Sequence, residues 1–128
     1  MLANTKAYSS FAVDDLKKAQ NFYGEVLGLE TRVLDEENGL MSVRLAGGRD
    51  TFVYHKPDFR PASYTILNFE VDDVDGAVDQ LAARGVRFER YDGFEQDEKG
   101  IARSDGRGPD IAWFEDPAGN ILAVHQTM

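Results

Sequence analysis

The two histidines of the chain, His55 and His125, are its best candidates for binding a metal ion or exchanging a proton near neutral pH. Each one ends a strand-like segment, "TFVYH" or "NILAVHQ". Side chains two positions apart on a strand share a face, so we expect the histidines on the faces of Val53 and Ala123. Neither histidine has a neighbouring carboxylate that sequence can assign to it. A hydrogen-bonding role at the mouth of a pocket therefore fits better than a metal site.

Several other side chains could line a small-molecule pocket. Trp113 lies in an apolar strand, where an indole either packs in the core or stacks on a planar ligand. Asn68 lies on an otherwise apolar strand, and its amide needs hydrogen-bond partners if it is buried. The chain has no cysteine, and no serine is paired with a histidine. The residue pattern therefore indicates binding more than nucleophilic catalysis.

The elements that carry these residues occur twice. "FAVDDL" at 11–16 resembles "FEVDDV" at 69–74, and Val71 follows Val13 by 58 residues. Each copy has a strand that ends at an Asp-Asp pair, and then apolar residues at helical spacing up to Gly28 or Gly85. An aspartate at the helix entry can cap the first free N–H groups.

Three strand-like segments follow each helix. They are 30–34, 40–45 and 51–55 in the first copy, and 86–91, 111–115 and 120–126 in the second. The second copy contains a long, glycine-rich and charged insertion at 92–110, which is either a surface loop or a lid over a site.

The pattern predicts an α+β protein of two βαβββ modules, residues 1–55 and 64–128, with a linker at 56–63. Twisted four-stranded sheets with one helix each leave a concave face uncovered. Two such modules can form a cupped mixed sheet around a central cavity. Strand alternation indicates the lining residues but does not fix the face of Trp113. The residues that we expect to bind a ligand are Tyr8, Ser10, Val53, His55, Ile66, Asn68, Trp113, Ala123 and His125.

Composition restricts the partners. The net charge is −9, which argues against nucleic acid, whose phosphates favour a basic face. No apolar run approaches the length of a transmembrane helix, and the N-terminus lacks a secretory signal pattern. We therefore expect a cytoplasmic protein that contacts neither nucleic acid nor membrane.

Three stretches resemble the vicinal oxygen chelate superfamily, also called the glyoxalase/bleomycin resistance/dioxygenase superfamily. They are "FAVDDLKKAQNFYGEVLGLE" (11–30), "FEVDDVDGAVDQLAARGVRF" (69–88) and "AWFEDPAGNILAV" (112–124). The resemblance implies paired βαβββ modules around a pocket, often in a homodimer. It also implies that the protein is either an enzyme, such as a lyase or dioxygenase, or a protein that sequesters antibiotics.

Enzymes of the superfamily usually hold a divalent metal with His, Glu or Gln on strands of both modules. The resemblance places these ligand positions at Tyr8, Ile66 and Ala123, and matching "TFVYH" with "ILAVH" adds Val53. None of these four side chains suits a divalent cation, since three are aliphatic and a phenol titrates near ~10. We therefore expect no metal and no cofactor.

The prediction is thus a metal-free protein that binds a small apolar, aromatic or cationic molecule. An enzyme is the alternative: a lyase or dioxygenase with an atypical metal site, or a metal-free acid–base catalyst that uses Tyr8, His55 or Glu70. Catalytic residues stay unassigned at this stage.

Overall fold

A computed structural model describes residues 1–126, and the chain forms two compact units that divide between Pro61 and Ala62. This division falls within the segment 56–63, which has two prolines. Each unit has its own sheet and its own helix. Within residues 1–126, no helix is long and apolar enough to cross a membrane.

The first unit is a βαβββ module. Its elements in chain order are β1 (Ser10–Val13), α1 (Leu16–Asn21) with a π-helical turn at Phe22–Val26, β2 (Thr31–Asp35), β3 (Leu40–Val43) and β4 (Thr51–His55). The strands form a four-stranded sheet in the order β1-β4-β3-β2. β1 runs parallel to β4, whereas the other pairs are antiparallel.

The second unit repeats this order with one strand fewer. It has β5 (Thr65–Glu70), α2 (Val74–Ala83), β6 (Asp110–Glu115) and β7 (Ile121–Gln126). These strands form a three-stranded sheet in the order β5-β7-β6, with β5 parallel to β7. The α+β class with two βαβββ-like modules is therefore confirmed, and the strands belong to two mixed sheets, one in each unit.

The strand expected at 86–91 is wrong. The pairing with the sheet there is limited to an isolated bridge of Phe88 to Phe114 on β6, beside which the Glu89 N–H donates to the Trp113 carbonyl at 2.8 Å. The Gln96 side chain takes the next backbone groups: its amide N–H donates to the Glu89 carbonyl, and its oxygen accepts from the Tyr91 N–H, both at 2.9 Å. A side chain from the following loop therefore replaces the strand partner that the Glu89 carbonyl and the Tyr91 N–H would need.

The Asp-Asp pairs work as the sequence predicts. The second aspartate of each pair caps its helix: Asp15 Oδ1 accepts from the Lys18 N–H at 3.1 Å, and Asp73 Oδ1 accepts from the Gly76 N–H at 3.2 Å. Gly28 follows the π-helical turn with a φ of 74°, the left-handed geometry expected at that end. The repeated motif thus sets the start of the helix in each unit.

The core of each unit lies between its sheet and its helix. In the first unit, Val13, Met41, Val43 and Val53 are fully buried on one sheet face, and Tyr23 of the helix is buried against Phe11 on that face. In the second unit, Phe114, Leu122 and Val124 occupy the corresponding face. We call these the helix-covered faces, and the opposite faces the helix-free faces.

Candidate functional site

Strand register divides the first unit's sheet into its two faces. Ser10 pairs with Phe52, which pairs with Ser42, so these three side chains share the helix-free face. Phe11 pairs with Val53, which pairs with Met41, on the helix-covered face. The predicted site residue Ser10 therefore lies on the helix-free face and is exposed.

The register corrects the expected position of Val53. Ser10 and Asn68 are repeat equivalents, 58 residues apart, and their partners are Phe52 and Ala123. Phe52, not Val53, is therefore the counterpart of Ala123. Matching the two segments by their final histidines was one residue out of step, and a one-residue shift moves every side chain to the other face.

The same correction places His55 on the sheet face of Val53. It pairs with Val13, at the exposed end of the helix-covered face, so the strand does not place it beside Tyr8. It lines a cavity of about 540 Å³ with Asp14, Asp15 and residues of the β2–β3 turn. An acid–base pair of Tyr8 and His55 is therefore not formed within this unit.

Tyr8 lies over Phe52, just before β1. Their ring centroids are 4.5 Å apart and their planes differ by 25°, a stacked arrangement. The adjoining backbone is held on β4, since the Phe52 N–H donates to the Ser9 carbonyl at 3.0 Å, and the Ser9 and Thr51 hydroxyls are hydrogen-bonded at 2.8 Å. Tyr8 remains 65% exposed, so one face of its ring is free for a ligand.

Tyr8 and Phe52 line a cavity of about 950 Å³ in the first unit. Its other walls are the Gly28–Leu29–Glu30 segment and the β3–β4 loop from Arg44 to Asp50. Arg44 lies 3.7 Å from a carboxylate oxygen of both Glu30 and Asp50. The cavity thus combines an aromatic wall with a charged rim, a constitution common in small-molecule sites.

In the second unit, the predicted site residues Asn68, Trp113, Ala123 and His125 share the helix-free face. Asn68 pairs with Ala123, which pairs with Trp113, and Glu70 pairs with His125. Ala123 is fully buried and Trp113 is 8% exposed, whereas Asn68 is exposed and so its amide is not the buried group considered above. Ile66 lies at an irregularity of the β5–β7 pairing, and the register gives it no partner.

Trp113 belongs to an aromatic cluster that the strand pattern does not reveal. Tyr91 packs edge-on against the indole with centroids 5.5 Å apart, and Phe94 lies against it at 4.9 Å. Tyr91 ends the segment 86–91, which is not a strand, and Phe94 follows that segment, so alternation could place neither residue. The only signal in the sequence is the presence of two aromatic side chains beside a charged, glycine-rich loop.

Two carboxylates lie near this cluster. Burial raises the pKa of Glu115, and the negative charges of Glu89 and Asp116 raise it further. Burial also raises the pKa of Tyr91, with added contributions from Glu115 and Glu89. Within residues 1–126, the buried Tyr91 hydroxyl and His125 Nδ1 have no hydrogen-bond partner. Polar groups without partners are costly when buried, and ligand sites often supply the partner.

The loop 92–110 is fastened to α2 by ion pairs. The Arg103 guanidinium donates to both carboxylate oxygens of Asp75, at 2.8 and 3.1 Å, and also to Asp97 at 3.0 Å. Lys99 lies 2.9 Å from Asp79, one helical turn further along α2. The Arg103 hydrogen bonds lower the pKa of Asp75. Residues 97–103 of the insertion are therefore fastened to α2.

The ligand positions implied by the family do not suit a metal. After the register correction, they are Tyr8 and Phe52 in the first unit, and Ile66 and Ala123 in the second. A phenol, a phenyl ring and two aliphatic side chains are poor ligands for Zn²⁺, Mn²⁺ or Fe²⁺. Across residues 1–126, no three His, Cys, Asp or Glu side chains are grouped so that they could hold a metal ion.

The fold defines a class: α+β proteins built of βαβββ-like modules. Residues 7–124 match the profile of the Glyoxalase/Bleomycin resistance protein/Dioxygenase superfamily. The chain therefore belongs to that superfamily, as the three sequence stretches indicated. A search among curated proteins found no significant match.

Several solved structures share the fold. The glyoxalase family protein from Enterococcus faecalis is 21% identical with a TM-score of 0.70, over 98% of this chain and 99% of that one. The fosfomycin resistance protein FosX from Listeria monocytogenes is 16% identical with a TM-score of 0.72, over 98% and 94%. TnmS3, an antibiotic binding protein from Streptomyces sp. CB03234, is 25% identical with a TM-score of 0.68, over 98% of each chain.

Proposed function

We propose that this protein binds a small apolar or aromatic molecule without a metal ion. The observation that carries the proposal is the stacked pair of Tyr8 and Phe52, which lines the 950 Å³ cavity at the positions where the family's enzymes carry metal ligands. An aromatic ring that is 65% exposed offers a planar ligand a surface for stacking. The ligand of this proposal is a flat organic molecule.

The similarity to TnmS3 supports the same class of function. That protein is an antibiotic binding protein, and it matches this chain over 98% of each length at 25% identity. FosX is a fosfomycin resistance protein of the same fold. A member of the superfamily therefore binds a small organic molecule, which is the function proposed for this chain.

Calorimetric titration of EDTA-treated protein with acridine, a planar aromatic probe, tests the proposal. We expect saturable binding that Tyr8→Ala weakens about 5-fold, the equivalent of a stacking contact worth ~1 kcal/mol. Tyr64→Ala is the matched control, because Tyr64 is also exposed (69%) and does not line the cavity. Binding that appears only after Zn²⁺, Mn²⁺ or Fe²⁺ is added would contradict the proposal.

A homodimer is part of the same proposal, because the resemblance to the superfamily implies one. Sedimentation equilibrium of the purified protein checks it. We expect a mass near twice 14.3 kDa. A single species of the monomer mass at micromolar concentration would remove the dimer and leave the binding proposal intact.

A further inference from the structure

The part of the insertion that follows Phe94 is firmly held. The Gln96 side chain donates to the Glu89 and Gly100 carbonyls at 2.9 and 2.7 Å, and it accepts from the Tyr91 N–H. The Arg90 guanidinium donates to the Asp97 carbonyl at 2.7 Å. With the Arg103 and Lys99 ion pairs to α2, these bonds fix residues 96–103 in place.

The segment 92–95 is held much more weakly. In the described part of the chain, its one recorded hydrogen bond runs from the Phe94 N–H to the Tyr91 carbonyl, at a long 3.4 Å. Gly93 has a φ of 91°, so glycine provides a turn that other residues rarely adopt. Few hydrogen bonds and high exposure are the properties of a segment that opens locally. We call residues 92–95 the flap.

Phe94 is the part of the flap that touches the sheet. Its ring lies 4.9 Å from that of Trp113, yet Phe94 is 56% exposed while Trp113 is only 8% exposed. Phe94 therefore covers the indole without being buried itself. Outward movement of the flap would uncover Trp113. It would expose little additional apolar surface of Phe94, because this side chain is already largely exposed.

The groups around Trp113 indicate what would bind there. Tyr91 supplies a second ring and a buried hydroxyl that lacks a partner among residues 1–126. Glu89 and Glu115 add negative charge, and burial together with mutual repulsion raises the pKa of Glu115. Aromatic faces with nearby carboxylates favour organic cations, through cation–π attraction and charge-assisted hydrogen bonds.

We propose that the flap opens to admit an organic ammonium group, which then lies against Trp113 and Tyr91 beside Glu89 and Glu115. The inference rests on the proposed function and names its ligand class in the second unit: an aromatic or apolar molecule that carries an amine. The ammonium donates to the carboxylates and to the Tyr91 hydroxyl oxygen. Phe94 closes the site when it is empty.

Fluorescence of Trp113 tests the flap directly, because this is the only tryptophan in the chain. We expect Phe94→Ala to raise the acrylamide quenching constant of Trp113 at least 2-fold. Tyr64→Ala removes another exposed aromatic residue of the same unit and should leave quenching unchanged. A quenching constant unaffected by Phe94→Ala would overturn the flap.

A matched pair of probes tests the ligand class. We expect 2-phenylethylammonium to bind at least 5-fold more tightly than 2-phenylethanol, which is similar in shape but uncharged. The double variant Glu89→Gln/Glu115→Gln should reduce this preference below 2-fold, whereas Glu98→Gln, an exposed carboxylate of the same loop, should preserve it. Equal binding of the two probes, or a preference that survives the double variant, would overturn the ammonium site.

The two proposals fail in different ways. If acridine binds and Tyr8→Ala weakens it, but the amine shows no preference, only the ammonium site is wrong. If neither acridine nor the amine binds, the proposed function fails as well. The quenching experiment decides on the flap in both cases because it needs no ligand.

Discussion

Asp116 shows how a single side chain shapes the end of the second unit. It is 4% exposed, and its Oδ1 accepts from the N–H groups of Ala118 and Asn120, both at 2.9 Å. Its Oδ2 accepts from the Asn120 side-chain amide at 3.0 Å, and Gly119 completes the turn with a φ of 93°. The family motif "DPAGN" is therefore a carboxylate-centred turn that joins β6 to β7.

Asp116→Ala should lower the free energy of unfolding by about 2–3 kcal/mol, because it leaves buried N–H donors without an acceptor. Urea denaturation at pH 7 measures this loss. Asp72→Ala, which removes an exposed carboxylate, should change stability by less than ~0.5 kcal/mol. Equal effects of the two substitutions would show that the turn contributes little to stability.

At the residue scale, the strand register shows which sheet face each predicted site residue occupies. The register places Ser10, Trp113, Ala123 and His125 on helix-free faces, whereas alternation alone left the face of Trp113 open. Tyr8 stacks on Phe52 of the same face. The binding role of all these residues remains a prediction.

At the scale of elements, the β2–β3 hairpin depends on a glycine. Gly39 has a φ of 76°, and a Cβ added there would lie 2.7 Å from the Cβ of His55. The His55 N–H also donates to the Gly39 carbonyl at 2.9 Å, so the β2–β3 turn is in close contact with the end of β4. Any larger residue meets both backbone strain and a steric clash.

Gly39→Ala should therefore lower the unfolding free energy by about 1–3 kcal/mol. Gly48→Ala is the control, because a Cβ at Gly48 meets no atom within 4 Å and its φ is not in the left-handed range. Thermal denaturation of both variants makes the comparison. A stable Gly39→Ala variant would mean that the hairpin shifts to accommodate the methyl group.

The contact between the insertion and α2 should make stability depend on pH in acid. Arg103 lowers the pKa of Asp75 below its ordinary value of 3.8, so the folded state favours the ionised form. This stabilisation is present above the unfolded pKa and is lost as pH falls through the lower folded pKa. Stability should therefore begin to decline below about pH 4.

Arg103→Gln should weaken that decline between pH 5 and pH 3, and it should cost about 1 kcal/mol or less at pH 7, since partly exposed ion pairs are screened by water. Urea midpoints at both pH values measure the effect. Arg107→Gln, an exposed arginine with no ion pair among the described residues, should keep the wild-type pH dependence. Identical profiles for all three proteins would show that Arg103 does not stabilise the folded loop.

The elements also show which parts of the fold could be predicted from the sequence and which could not. Within residues 1–126, alternation and caps predicted seven strands and two helices, because the cause of each is local. The segment 86–91 does not form a strand, because the Gln96 side chain of the next loop hydrogen-bonds to the Glu89 carbonyl and the Tyr91 N–H. The position of Phe94 on Trp113 depends on the same loop, and no periodic pattern encodes it.

At the scale of the whole molecule, the duplication explains why the family can be recognised from three short stretches. The repeat gives each unit a capped helix, a mixed sheet and a helix-free face. The repeat also makes an alignment error easy. The segments that end at His55 and His125 look equivalent in sequence, yet their strand registers differ by one residue. Sequence alignment alone could not reveal that shift, because the hydrogen-bond register determines which sheet face each side chain occupies.

The most direct test of the central claim is titration of EDTA-treated protein with acridine, followed by the same titration with added Zn²⁺. Metal-independent binding predicts the same saturable isotherm in both titrations, and a roughly 5-fold weaker one for Tyr8→Ala. A protein that binds acridine only with Zn²⁺, or that binds it equally well without the Tyr8 ring, would contradict the account.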